Sequence, residues 1–141
     1  MKKVLVTTDG SDNANKALLE AKRMATALDA NIDILYVVKY LVKNSYLRIE
    51  RYTPEAIEDL KKMGQEILDD SLKYFDDFKG EVNTKLKAGD PAEVIIEETE
   101  KEDYELVVMG SRGLGTFSRT MLGSVSHKVL NHVDTNVLIV K

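Results

Sequence analysis

Five short runs of aliphatic and β-branched residues alternate with four longer stretches of helical period, and this alternation constrains the fold more than any other feature. The runs are KVLVTT (3–8), IDILYVV (32–38), EVNTKLKA (81–88), ELVVMG (105–110) and NVLIV (136–140). Four of them are nearly continuous apolar blocks, as expected of parallel strands covered on both faces. EVNTKLKA alternates only weakly and reads as an edge strand. Between the runs, Ala14, Ala17, Leu18, Ala21, Ala25 and Leu28 recur at helical spacing. Ile57, Leu60, Ile67, Leu68, Phe75 and Phe78 mark a second, long helix, with Thr53 as N-cap and Pro54 at its first position. Asp90 and Pro91 open a third helix through Ala92, Ile95 and Ile96. A fourth runs from Ser124 to Val133, with Val125, Val129 and Leu130 expected inward. The order β-α-β-α-β-α-β-α-β predicts an α/β fold: an open parallel sheet with helices on both faces.

At 141 residues the chain has the length of one domain, expected to span 1–141. The chain contains no cysteine, which removes disulfides, thiolate metal sites and cysteine nucleophiles. A net charge of −4 argues against nucleic acid as the main partner. The apolar run at the start is too short for a signal peptide, and no stretch reaches the roughly 20 residues of a membrane span. The expectation is a soluble, cytoplasmic protein without a membrane partner.

In open α/β sheets ligands bind beyond the carboxyl ends of the strands, where the strand order reverses. Two strand exits carry glycine and polar residues: Thr8-Asp9-Gly10 and Gly110-Ser111-Arg112-Gly113. The second opens GSRGLGTFSRTMLGS (110–124), which holds four glycines and two arginines ahead of the last helix. Three properties point to an anion there. Glycines at 110, 113 and 123 allow close backbone approach and positive φ. The helix start at Gly123-Ser124 offers unpaired N–H groups and the positive end of a dipole. Arg112, Arg119 and the hydroxyls of Ser124 and Ser126 add cations and donors. The alternative is a plain glycine-rich connection with a serine cap. Asp9 likewise fits two compatible roles, shaping the turn with Gly10 and Ser11 or meeting a ribose hydroxyl or metal-bound water.

Several familiar motifs fail. Gly115 is followed by Thr116 and Phe117, not by the Lys-Ser/Thr of a P-loop. The near-match Gly113-Leu114-Gly115 to a dinucleotide fingerprint has Ser118 where the third glycine belongs. No G-x-S-x-G elbow occurs. His127 and His132 lie about 140° apart around a helix, so they share no face for a metal. The third run ends in Lys87-Ala88-Gly89, with no aspartate for a phosphoacceptor.

Gly110, then Gly113, then nine residues, then Gly123-Ser124 satisfy G-x2-G-x9-G-[ST]. With VLVTTDGS at the start, GDPAEVI in the middle and VLIVK at the end, the chain resembles the ATP-binding branch of the universal stress protein family over nearly its whole length. The resemblance implies sheet order 3-2-1-4-5, a Rossmann-like fold, a homodimer and bound ATP, with Mg or Mn accompanying the triphosphate. It places Thr7, Thr8 and Asp9 by the ribose and adenine, and Val37 with its main chain at the adenine edge. Met109, Gly110, Arg112 and Gly113 would line the ribose–phosphate path, and Gly123, Ser124, Val125 and Ser126 would hold the phosphates. Thr135-Asn136 stand where relatives often carry proline, which bears on the turn and not on the site. The segment 39–53, with three tyrosines and four basic residues, has no role carried over. The last run, at a sheet edge in the implied order, would pair with its symmetry mate. The implied function is a stress-response or signalling protein with at most slow ATP hydrolysis. A nucleotide-free dimerisation module and a small phosphotransferase or nucleotide hydrolase are the alternatives.

Overall fold

The computed structural model describes residues 1–39, 53–112 and 122–141. Gly113, Arg119 and nearly all of the 39–53 segment therefore lie outside the described residues. The elements run β1 (Lys3–Thr7), α1 (Asp12–Leu28), β2 (Asn31–Val38), α2 (Pro54–Ser71), β3 (Val82–Ala88), α3 (Pro91–Lys101), β4 (Leu106–Gly110), α4 (Ser124–His132) and β5 (Val137–Val140). A 3-10 turn, Leu72–Phe75, ends the second helical segment. The expected long helix is thus an α-helix that tightens before Phe75, whose ring meets Phe78 edge-on at 6.1 Å.

The five strands form one parallel sheet in the order β3-β2-β1-β4-β5. The chain builds β1, β2 and β3 in one direction and then returns across β1 to lay down β4 and β5. The strand order therefore reverses between β1 and β4.

Side-chain alternation along the strands splits the core into two layers. Val4, Val6, Ile32, Ile34 and Val108 pack with Ala17, Leu18, Ala21 and Leu68 on the α1 and α2 face. Leu5, Leu35, Val107 and Met109 pack with Ile95 and Val129 on the α3 and α4 face. Burying both faces of a strand requires apolar residues at successive positions, which is why these runs are continuous. Each fully buried aliphatic side chain contributes about 1.5–3 kcal/mol.

Local signals set the helix ends. Ser11 accepts the Ala14 N–H at 3.1 Å, Thr53 the Ala56 N–H at 3.1 Å and Asp90 the Glu93 N–H at 3.1 Å. Gly64 sits inside α2 because a Cβ there would press within 2.7 Å of the Tyr36 ring and 2.8 Å of Leu86. Its absence lets α2 lie close on β2 and β3.

Leu130 departs from expectation: it is 43% exposed. The nine-residue α4 turns Ser126 and Val129 inward, and Leu130, about 100° further round, faces out. Val125 is half-buried and Val129 fully buried.

Candidate functional site

The two glycine-bearing exits meet. Val6 of β1 pairs with Val108 of β4, so Thr8-Asp9-Gly10 and Gly110-Ser111-Arg112 leave the sheet side by side at its carboxyl edge. This is the reversal point at which open α/β sheets bind ligands.

On the β1 side, Thr7 closes the strand and Thr8, nearly buried, donates its N–H to Leu35 O at 3.0 Å. Asp9 is half-buried, and its Oδ1 accepts the Ser11 N–H at 2.9 Å. Ser11, not Asp9, caps α1, so Asp9 shapes the turn and keeps Oδ2 free of that bond. Burial raises the Tyr36 phenol above its ordinary pKa, and the nearby Asp9 carboxylate adds to the rise.

Val37 follows from strand parity. Asn31 N–H and Leu35 O bond toward β1, whereas Ile32 N–H and Val38 O bond toward β3. Val37 therefore turns its main-chain N–H and C=O toward the β1 side, two residues beyond Leu35, where β1 has already turned away. Those groups face the crevice beside the β1 exit.

On the β4 side, Met109 is buried and Gly110 and Arg112 are half-buried. Gly110 O accepts the Ser126 hydroxyl at 2.7 Å. The hydroxyl of Ser126, expected to face a phosphate, is thus committed inside the protein. Among the described residues, the glycines with positive φ are Gly10 and Gly89, whereas Gly123 has φ −62°. A Cβ on Gly110 would crowd Asn13 Oδ1, so the Asn13 side chain would have to move aside.

Gly123 is the N-cap of α4, and among the described residues no side chain caps the helix. Its own N–H donates to Ser111 O at 2.6 Å, which binds the helix start to the β4 exit. The first-turn N–H groups of Ser124, Val125 and Ser126 precede the first intrahelical bond, from His127 N–H to Gly123 O. Ser124 is exposed beside them.

A separate cavity of about 100 Å³ lies on the α2 side of the β1 turn, between Thr8, Gly10, Asn15, Ile67 and Tyr74. It is smaller than the roughly 300–1,000 Å³ of small-molecule sites and is not where a nucleotide would sit. Among the described residues no group of acidic or histidine side chains is arranged to hold a metal ion. His127 and His132 are both exposed on α4.

A profile of the Universal stress protein family matches residues 1–141. The chain belongs to this family. It is 36% identical over 145 residues to universal stress protein YxiE of Bacillus subtilis, covering 99% of this chain and 98% of that one. It is 34% identical over 140 residues to universal stress protein MJ0531 of Methanocaldococcus jannaschii, covering 99% and 82%. Among solved structures, the protein MJ0577 superposes with a TM-score of 0.84 at 27% identity, covering 99% of this chain and 95% of that one. Two further neighbours show the same fold at lower identity. A universal stress protein in complex with cAMP gives a TM-score of 0.75 at 24% identity, covering 99% and 97%. A universal stress protein from Archaeoglobus fulgidus in complex with dAMP gives 0.71 at 19%, covering 100% and 98%. The five-stranded parallel sheet of this universal stress protein is the architecture of those neighbours.

Two groups of residues in this universal stress protein escape sequence reasoning. One is Asn13, whose side chain reaches both β4 and β5. The other is an ionic network under α3. Asp33, 1% exposed, accepts the Tyr104 hydroxyl at 2.8 Å and lies 3.6 Å from Lys3 Nζ and 3.5 Å from Lys85 Nζ. Lys85 also pairs with Glu98 and, at 2.9 Å, with Glu102, and Lys3 pairs with Glu102. Burial alone would lower the Lys85 ammonium, but hydrogen bonds to Glu98, Glu102 and Tyr104 outweigh it and push its pKa up. Lys3 and Lys85 hold the Glu102 carboxyl down at about 2. Burial, reinforced by the bond to Asp33, keeps the Tyr104 phenol neutral and a donor. No apolar period marks these residues; the one signal is Asp33, a charge inside the apolar run IDILYVV.

Proposed function

We propose that the chain binds an adenine nucleotide, ATP with a divalent cation, in the crevice between the β1 and β4 exits. In this reading it works as a stress-response or signalling switch and not as an efficient enzyme. The observation that carries the reading is the start of α4: a helix N-terminus at the sheet's reversal point whose cap, Gly123, brings no side chain. Such an end attracts phosphate through free N–H groups and about half a positive charge. A capping serine or aspartate would compete for the same N–H groups.

The rest of the site suits the remainder of the ligand. Val37 offers main-chain groups for an adenine edge, and Asp9 has an oxygen for a ribose hydroxyl. Thr7 and Thr8 line that exit, and Met109, Gly110 and Arg112 line the other. Ser124, Val125 and Ser126 supply N–H groups to phosphates. Gly113 would join them by its place in the motif. The cAMP and dAMP bound by the two neighbours support the ligand class. The cation would be held mainly by the phosphates, whose charge no P-loop lysine offsets. Asp9, tied to the turn through Oδ1, is poorly placed as a general base, which supports binding over turnover.

We further read β5 as the seam of a homodimer. It is an edge strand of four half-buried apolar residues, and Leu130 lies exposed on the adjoining helix. A second copy paired along β5 would cover both.

Acid release of ligand from the purified protein, followed by mass analysis, is the direct test, and an adenine nucleotide is expected. Gly123→Val should abolish ATP binding with the circular dichroism spectrum unchanged. Unaltered ATP affinity in the folded variant would overturn the site. Light scattering at micromolar concentration should give a dimer, and a monomer there would rule out the seam.

A further inference from the structure

We propose that Asn13 is a positioning residue for the nucleotide loop, holding the peptide between Ser111 and Arg112 in one orientation and tying it to the end of β5. The proposal rests on the nucleotide reading above for its consequence, though not for its geometry.

The Ser111–Arg112 peptide is bonded at both ends. Its N–H, from Arg112, donates to Asn13 Oδ1 at 3.0 Å, and its C=O, from Ser111, accepts the Gly123 N–H at 2.6 Å. The other half of the Asn13 amide, Nδ2, donates to Val140 O at 3.1 Å. Val140 O also accepts the Ser111 N–H at 2.8 Å. One side chain on the first turn of α1 therefore joins the β4 exit to the carboxyl end of β5. Through the peptide it orients, Asn13 also governs the bond that holds Gly123.

This arrangement has a functional edge. Rotating that peptide would swing the Arg112 side chain and release the cap of α4 together, so both halves of the glycine motif depend on one amide plane. Asparagine suits the place because a single planar group supplies an acceptor and a donor on opposite sides. Gly110 completes the fit, since a Cβ there would occupy the position of Asn13 Oδ1. Asn13 touches no ligand atom in this account; it acts through Arg112 and Gly123.

Amide hydrogen exchange on the nucleotide-free protein tests the geometry, and ATP titration tests the consequence. In Asn13→Ala, exchange at Arg112 and Gly123 should accelerate roughly tenfold while the core amides of Val6 and Val108 stay as in the wild type. Asn13→Asp retains the acceptor, so Arg112 should remain protected in that variant. Gly110→Ala should expose the Arg112 amide as Asn13→Ala does, and the double variant should be no worse than either single one. ATP should bind Asn13→Ala about tenfold or more weakly. Wild-type exchange at Arg112 and Gly123 in Asn13→Ala overturns the proposal, as does faster exchange shared equally by the core. Unchanged ATP affinity despite lost protection overturns the positioning role. A wild type that binds no ATP sinks the nucleotide reading instead, and the exchange data then still decide whether Asn13 holds the loop.

Discussion

Replacing Lys85 with methionine tests whether the ionic network under α3 behaves as a buried cluster or as a set of surface pairs. Two ammonium groups, Lys3 and Lys85, face three carboxylates, Asp33, Glu98 and Glu102, for a net charge of −1. Lys85→Met leaves −2 on that cluster. Glu98, whose side chain is 5% exposed, would keep only the Tyr104 hydroxyl at 3.3 Å, whose one proton is already donated to Asp33. Breaking a buried pair costs about 3–5 kcal/mol, against about 0–1 kcal/mol for an exposed one. The loss has a ceiling, because a stranded carboxylate can take a proton from solution. For an ordinary glutamate at pH 7 that costs about 3.7 kcal/mol, from 1.36 kcal/mol per pH unit. Lys85 is itself 20% exposed, so water softens the loss, and about 3 kcal/mol is expected. That corresponds to a fall of about 10 °C in melting temperature for a domain of this size. Because the chain has no tryptophan, urea unfolding is best followed by far-ultraviolet circular dichroism. A stranded carboxylate that must be protonated penalises the variant less at low pH, so the difference from wild type should shrink to about 1 kcal/mol at pH 5. Lys85→Met/Glu98→Met should recover more than half the loss at pH 7. A cost below about 1 kcal/mol at pH 7, or a double variant as unstable as the two single losses added, would refute the reasoning.

Three further outcomes follow from the same structure. Glu102 is held at about 2 by Lys3 and Lys85, below its unfolded value, so it stabilises the fold above the ordinary glutamate range and that contribution is lost as pH falls toward 2; in Glu102→Gln the acid-unfolding slope below pH 4.5 should flatten. Gly64→Ala should destabilise by about 1–3 kcal/mol in urea, despite the better helix propensity of alanine, because the new methyl meets Tyr36 and Leu86. Leu68→Ala, at a site fully closed to solvent, should cost about 2–5 kcal/mol with the m-value unchanged.

The contrast between what the chain declares and what it conceals follows from the range of the forces involved. Strands buried on both faces must be continuously apolar, so KVLVT and LVVMG announce themselves. Caps act over three residues, so Thr53-Pro54 and Asp90-Pro91 are legible as helix starts. The glycine motif brackets the candidate site because Gly110 and Gly123 both belong to one connection. What stays hidden is what joins distant segments. Asn13 reads as an indifferent residue on a first helical turn until β4 and β5 are laid beside it, 99 and 127 positions away. Gly110 does not adopt the expected positive φ, and the neighbour that a Cβ there would crowd is Asn13, a long-range contact that no local rule foresees. Lys85 shows the limit in another form, since on an edge strand it resembles any solvated lysine. Asp33 is the exception that could have been read. A carboxylate inside a strand covered on both faces must find cations or be neutral, and the flanking strands β1 and β3 were bound to supply them. The polar residues of this sheet thus divide by end. At the carboxyl ends they turn main-chain groups toward the crevice between β1 and β4, and beneath α3 they close on one another.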